Sequence, residues 1–248
     1  MINKQRLQSI ISKYYLNGLT QSVKWVTNNG ELDICFVSDN KDLAGDVKCK
    51  KSPVEDSELA IFDTAQLNKL ISVTNGDLLL TLEKNHKVYS KLYIQDSSFN
   101  VAYNLADSLL IPKRGTINFP DNYDVTIGLN TEVVENLIKA KNALSGVSDM
   151  MITTIEDEDR GKIVEFSFGD TGNYSNKIRY SIDEEIEIKQ DIKLPFNSDL
   201  FKEILNSNKD LESGKISISE EGFMKLEFNT EDISSIYYMV RKEDSTYV

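Results

Sequence analysis

Apolar residues near the start of the chain recur at Leu7, Ile10, Ile11 and Tyr14. The spacing i, i+3, i+4, i+7 is one stripe of an amphipathic helix. Asn3 stands where an N-cap belongs, and Asn17-Gly18 supplies a stop. The pattern then shifts to short strand-like runs at 22–27, 31–37 and 44–50, split by Asn29-Gly30 and by Asp39-Asn40. A second helix is predicted from Asp63, with Leu67, Leu70, Ile71 and Thr74 on one face and Asn75-Gly76 at its end. Strands follow at 78–83, 87–94 and 98–103. The next stretch, "NLADSLLIPKRGTINFPDNYD", holds Pro112, Gly115 and Pro120 and keeps no period, which is the signature of a linker.

The pattern then restarts. A strand at 123–129 leads into a helix from Thr131, with Val134, Leu137, Ile138 and Lys141 at the helical spacing. Strands are predicted at 149–156, 162–168, 174–181 and 185–193, the last running up to Pro195. A fourth helix starts near Asn197 or Ser198 and buries Leu200, Phe201, Ile204 and Leu205. Strands at 215–219, 223–228 and 234–240 close the chain. The four helices thus begin at near-regular intervals, each followed by antiparallel strands, and such internal repetition fixes the architecture. The reading is an α+β chain of two similar domains, 1–103 and 123–248, joined by a linker at 104–122. Each domain pairs two helix-plus-three-strand units and lays both helices on one side, with their polar stripes exposed together.

Composition adds charge to this picture. The 248 residues are 40% hydrophobic, enough for real cores, and hold 28 Lys and Arg against 40 Asp and Glu. Residues 1–122 carry 14 basic and 14 acidic residues, whereas 123–248 carry 14 basic and 26 acidic. Overall acidity argues against holding nucleic acid by bulk charge, yet leaves open a surface on which a few cations are gathered. The N-terminus lacks the apolar stretch and small-residue cleavage site of a signal peptide, and no run nears the ~20 apolar residues of a membrane helix. A cytoplasmic location is expected. Cys35 and Cys49 lie in strand-like segments and read as buried free thiols.

Candidate chemistry is thin. Gly214-Lys215 lacks the upstream Gly of a phosphate loop, which would fall at Lys209, and Ile216 stands where Ser or Thr must meet magnesium. In "IEDEDRG" the alternating ligand positions of a calcium loop include Arg160, which cannot ligate a cation. His86, the single histidine, sits in a turn with no nucleophile implied. No enzyme, metal site or cofactor is expected. The helix polar faces say more. The first helix carries Lys4, Arg6 and Lys13 and no acid; the first carboxylate of the chain is Glu31. The second carries Lys69. The third carries Lys139 and Lys141, with Glu132 and Glu135 confined to its start, where they suit the helix dipole. The fourth carries Lys202, opposed by Asp199 and Glu203. Helices sharing one side would make that side positive, a surface for phosphate.

The segments "LAIFDTAQLNKLISVTNGDLLLTLEKN" and "YDVTIGLNTEVVENLIKAKNAL", then "GKIVEFSF", "NKIRYSI" and the tail "EDSTYV", together resemble the DNA polymerase sliding clamps of T-even-type tailed phages over nearly the whole chain. The resemblance implies a clamp fold and a head-to-tail homotrimer closed around duplex DNA, with helices inside and sheets outside. It implies loading by a clamp loader, tethering of the replicative polymerase, and residence in the cytoplasm of an infected bacterium. Strand 98–103, with Phe99, Val101 and Tyr103, would pair with strand 174–181, with Ile178 and Tyr180, of the next subunit. Short apolar peptide tails of partners would bind near the linker and the last strand, at Leu109, Leu110, Ile111, Phe119, Tyr238 and Val240. The alternative is a β-rich virion structural or assembly protein, which needs no positive helix face.

Overall fold

The computed structural model describes residues 1–38, 40–86, 88–111, 119–169 and 176–242. The chain divides into two compact units. The first is Met1–Thr116 together with Glu231–Ser235; the second is Ile117–Thr230 with Ile236–Val248.

The first unit contains β1 (Ile2–Asn3), α1 (Lys4–Tyr15), β2 (Val23–Asn28), β3 (Glu31–Val37), β4 (Leu43–Cys49) and β5 (Ser57–Ile61). It continues with α2 (Thr64–Ser72), β6 (Asp77–Asn85), β7 (Val88–Gln95) and β8 (Asn100–Asn104). The second unit contains β9 (Val125–Leu129), α3 (Thr131–Ala143), β10 (Asp149–Asp157), β11 (Gly161–Phe168), β12 (Ile178–Ile182) and β13 (Ile186–Ile188). It ends with β14 (Lys193–Asn197), α4 (Ser198–Ser207), β15 (Ser213–Ser219), β16 (Phe223–Asn229) and β17 (Ile233–Val240).

The repeat is real, but each copy begins with a strand. The four copies run β-α-β-β-β, opening at β1, β5, β9 and β14. The leading strands are exchanged within each unit. β1 joins the sheet of the second copy, in the order β1-β6-β7-β8, and β5 joins that of the first, in the order β5-β2-β3-β4. In the second unit β14 completes β12-β11-β10-β14, while β9 pairs β15, with β13 added outside it. Each exchange knits its two copies into one folding body. It also explains why the predicted strand 185–193 divides in two: Ile186–Ile188 pairs β9, while β14 pairs β10 with Pro195 opposite Met151. A proline is tolerated there because the strand lies at the edge of its sheet.

The helices form where the spacing placed them. Asn3, Asp63, Asn130 and Asn197 cap them, each side chain accepting a backbone N–H from the first turn. Their stripes enter the cores: Leu7, Ile10, Ile11 and Tyr14 are fully buried, as are Leu67 and Ile71. In the second unit Val134, Leu137, Phe201 and Leu205 do the same, and Phe201 stacks on Phe166 of β11. Burying one such aliphatic or aromatic side chain contributes about 1.5–3 kcal/mol. Cys49 is buried and Cys35 exposed, and neither is joined in a disulfide, so the expectation of a buried Cys35 is corrected. Cys35 sits on the strand face opposite Ile34 and Phe36, which point inward. Among the described residues no helix is long and apolar enough to cross a membrane.

Candidate functional site

The helix faces differ from their sequence expectation in one respect: most of their cations are spent within the fold. Lys4 reaches the last turn of α2, its Nζ donating to the carbonyl oxygens of Ser72 at 2.9 Å and of Thr74. A cation suits that position, where the helix leaves unpaired carbonyls and a partial negative charge. Arg6 turns toward the chain after β4. Its Nη2 lies 3.3 Å from the Asp232 carboxylate and 3.1 Å from the Lys51 carbonyl oxygen, beside the Cys49 Sγ. Lys13 is buried, at 1% exposure. Lys69 is exposed on α2.

In the second unit Lys141 is equally buried, at 1%. Its ammonium donates to the Ser145 carbonyl oxygen at 3.3 Å and to that of Val147, and it lies 2.9 Å from the Asp199 carboxylate at the start of α4. An ammonium taken out of water costs several kcal/mol unless oxygens replace its hydration, and these three do so. Lys139 is exposed and pairs with Glu135 one turn earlier; Lys202 is half-buried and pairs with Glu203. The expectation that Lys13 and Lys141 face outward is therefore corrected. Lys141 shares the buried stripe of Val134, Leu137 and Ile138, and a helical residue on that stripe points inward whatever its charge.

Each unit has several strand edges. One in the first unit is β8. Leu105 N–H donates to the Ser90 carbonyl oxygen on β7, so by two-residue alternation the N–H groups of Val101 and Tyr103 also face β7, while those of Asn100, Ala102 and Asn104 face outward. Val101 and Tyr103 turn their side chains into the core. The Tyr103 hydroxyl accepts from Asp63 N–H at 3.0 Å and donates to the Asp63 carbonyl oxygen at 3.2 Å, locking the edge to the start of α2. Burial pushes the Tyr103 phenol up, and the bond from Asp63 N–H opposes that shift. Asp96 fixes the other end of the strand, accepting from Ser98 and Phe99 N–H at 2.6 Å each and from Asn75 N–H at 2.6 Å. The Phe99 and Ser98 N–H groups hold its carboxyl below the usual value. Between β8 and α2 lies an apolar groove of about 420 Å³, lined by Phe62, Leu70, Ala102 and Ala106 among others. Phe62 and Phe99 stand 54% and 44% exposed.

In the second unit β12 is such an edge, with Ile178 and Tyr180 half-buried and Arg179 exposed. Asn136 of α3 reaches the Tyr180 hydroxyl at 3.5 Å. The adjoining cavity, about 290 Å³, has an acidic mouth of Glu132, Asp183, Glu184 and Glu185 around Val133 and Tyr180. Phe62 and Leu70 were missed as interface candidates in the sequence. Phe62 directly precedes the cap Asp63, and Leu70 neighbours the buried Ile71, so each reads as core until its exposure is seen.

The described part of the predicted linker carries one short turn at Ser108–Leu110; residues 112–118 lie outside the described residues. Leu109 is 88% exposed and Leu110 62%. Ile111 sinks into the first unit at 4%, so its expected place on the surface is corrected. Leu110 and Ile111 border a cavity of about 360 Å³ whose other walls include Leu19, Thr20, Cys35, Val37 and Lys41. In the second unit Phe119 stacks face to face on Tyr238, centroids 3.4 Å apart, and Val240 is exposed. Among the described residues no group of three or more His, Cys, Asp or Glu is placed to hold a metal ion.

No protein family matches the sequence, and no curated protein does. Among solved structures the chain is similar to the crystal structure of Proliferating Cellular Nuclear Antigen from Entamoeba histolytica. The match has a TM-score of 0.73 at 13% identity and covers 97% of this chain and 96% of that one. The chain therefore has the DNA-clamp fold.

Proposed function

We propose that this chain is a sliding clamp: three copies close head to tail around duplex DNA and tether a replicative polymerase for processive synthesis. The observation that carries the reading is a pair of unlike strand edges, β8 in one unit and β12 in the other, each beside a groove or cavity, within a chain that matches a clamp fold over 97% of its length. An exposed edge is a liability unless it is paired, and pairing unlike edges makes a heterologous contact, which forms a ring where the rotation between copies closes. The two surroundings suit each other. The groove beside β8 is apolar, with Phe62 to insert, and Lys69 stands on α2. The surface beside β12 offers Val133, Ile178 and Tyr180 within an acidic rim.

The finer assignment follows the sequence resemblance: a T-even-type phage clamp, opened by a clamp loader in the cytoplasm of an infected bacterium. Partner tails would dock at Leu109 and Leu110, with the Lys41-bordered cavity beneath to take an apolar anchor. A virion structural protein is the alternative, and it would show no topological hold on DNA.

The test uses a linear duplex onto which fluorescently labelled protein threads through free ends. Both ends are then blocked with a bulky bound protein. Retention that persists while the ends are blocked, and is lost when a restriction enzyme cuts the duplex, is the expected result. Equal loss from blocked and open duplexes contradicts encirclement.

A further inference from the structure

Hydrogen-bond alternation decides which residues the edges of β8 and β12 offer to a second chain. On β8 Asn100, Ala102 and Asn104 direct their backbone groups outward. The run is closed at both ends, because Ser98 N–H is taken by the Asp96 carboxylate and Ala106 N–H by the Ala60 carbonyl oxygen. For β12 the alternation is counted from the far side of its sheet. Ser198 N–H donates to the Ser148 carbonyl oxygen and Thr154 N–H to that of Ile192, so the even-numbered positions along β10 face β14. Odd-numbered positions then face β11, and the unbroken registers carry the count to β12, where Ile178, Tyr180 and Ile182 face β11. Lys177, Arg179 and Ser181 are left facing outward. On both edges the outward-bonding residues alternate with the buried or half-buried ones, Val101 and Tyr103 on β8 and Ile178, Tyr180 and Ile182 on β12. An antiparallel union therefore keeps the apolar faces of the two sheets on one side.

We infer that β8 of one copy and β12 of the next join in a single register, centred on Ala102 opposite Arg179, with Asn100 opposite Ser181 and Asn104 opposite Lys177. The inference rests on the clamp reading and adds to it the residues that meet. Each of these pairs exchanges two hydrogen bonds. On the buried face Phe99 meets Ile182, Val101 meets Tyr180 and Tyr103 meets Ile178, and such aromatic and aliphatic cross-strand neighbours stabilise a sheet. Sliding the next copy two residues one way sets Glu184 against Phe99 and takes a carboxylate out of water without a partner. Sliding it the other way calls on Ser98, whose N–H is already bound to Asp96. The side chains agree with the register. Ala102, the smallest of the outward three, leaves room for Arg179, whose guanidinium lies 3.6 Å from Glu165 in its own chain. Asp183, Glu184 and Glu185 follow Ile182 and so come to the Phe99 end of β8. There Asp96 ties Phe99 to Asn75 just past α2, whose last turn carries Lys69, and the charges are complementary. At the other end Tyr103 is bonded to Asp63, which brings the neighbouring Phe62 to Ile178.

The test is cysteine cross-linking between copies, in a Cys35→Ser background because Cys35 is exposed. Facing residues of a hydrogen-bonded pair have Cα atoms about 5.5 Å apart, within the span of a disulfide, whereas a two-residue shift moves them to roughly 9 Å, beyond it. Ala102→Cys with Arg179→Cys should therefore give a covalent trimer as the main oxidised species on a denaturing gel. Ala102→Cys with Lys177→Cys, and Ala102→Cys with Ser181→Cys, should run largely as single chains. Mixing the two single variants, Ala102→Cys and Arg179→Cys, should give covalent dimers, which places the link between chains. Cross-linking that is strongest with Lys177→Cys or Ser181→Cys overturns the register, as does a trimer by native mass in which none of the three pairs cross-links. A wild type that never assembles contradicts the clamp reading itself, and that outcome is distinct from a trimer joined in a shifted register.

Discussion

The two units follow one plan and fill one equivalent position with opposite chemistry. Counted from their caps Asn3 and Asn130, α1 and α3 bury matching residues: Leu7 and Val134, Ile10 and Leu137, Ile11 and Ile138, and then Tyr14 and Lys141. The second helix of each unit enters in the same way. Thr64 donates its N–H and hydroxyl to the Gln21 carbonyl oxygen; Ser198 donates its N–H to that of Ser148 and its hydroxyl to that of Val147. Tyr14 meets this junction with a fully buried ring packed edge-on to Trp25, and its hydroxyl lies near the Thr64 and Trp25 side chains without forming a well-aligned hydrogen bond among the described residues. Burial pushes that phenol far up. Lys141 meets the same junction with a charge satisfied by three oxygens. One backbone solution thus tolerates a poorly bonded hydroxyl in one copy and a fully used ammonium in the other, and the energetic stake differs accordingly.

The largest expected effect comes from breaking that contrast. Lys141→Ala removes the cation from two carbonyl oxygens and from Asp199, which is half exposed and can re-solvate. A loss of about 2–3 kcal/mol is expected in urea unfolding, below the full figure for a wholly buried pair. Tyr14→Phe removes a hydroxyl that makes no well-aligned hydrogen bond and should stay within about 1 kcal/mol of the wild type in either direction. Equal losses in the two variants would end the distinction.

The second contrast is between the edges. Phe62→Ser empties the anchor of the apolar groove and should weaken the trimer tenfold or more, by about 1.5–2 kcal/mol, on the scale of a truncated interface anchor. Sedimentation across a dilution series measures it, and an unchanged midpoint would remove Phe62 from the interface. Smaller again is the linker effect. Leu109→Ser with Leu110→Ser should weaken an apolar polymerase tail peptide by about 1–2 kcal/mol in calorimetry while the trimer survives. Equal affinities would move that site elsewhere.

The smallest effect separates two hairpin turns. In the first unit the turn at Asn29 and Gly30 is held from outside, both N–H groups donating to Asp56 at 3.0 Å. In the second unit Asp157 holds its own turn. The Arg160 guanidinium beside it, and then the Asp159 N–H, hold its carboxyl down to about 2. A depressed folded value means that the contribution is present above the unfolded value near 4 and is lost as pH falls through about 2. The amide signals of Asp159 and Arg160 should shift with a midpoint near 2, and Asp157→Asn should abolish that titration. A midpoint near 4 would show that Arg160 does not engage it.

Much of this fold was legible in periodicity and punctuation. The helix stripes, the caps Asn3 and Asp63 and the repetition itself can be read directly, because each depends on local spacing. The leading strands could not be read in the same way. β1 is two residues long, β5 is a short apolar run behind a polar loop, and β14 contains a proline. Each exists because a strand from the neighbouring copy pairs with it, which is not a local signal. The cations show the same divide. Lys141 carried its own warning by falling on the apolar stripe, whereas the turning of Lys4 and Arg6 onto Thr74 and Asp232 joins positions far apart in sequence and appears only once the chain is folded.

The central claim, that this chain is one third of a closed ring, is tested most directly by native mass measurement of wild type and Ala102→Pro. Ala102 sends its N–H outward from β8, so proline there spares the ladder to β7 and blocks only pairing with a second chain. Three copies of the 28.1 kDa chain are expected for the wild type, and a predominantly monomeric, folded species for the variant. A wild type that stays monomeric at all concentrations, or a variant that assembles as well as the wild type, would contradict it.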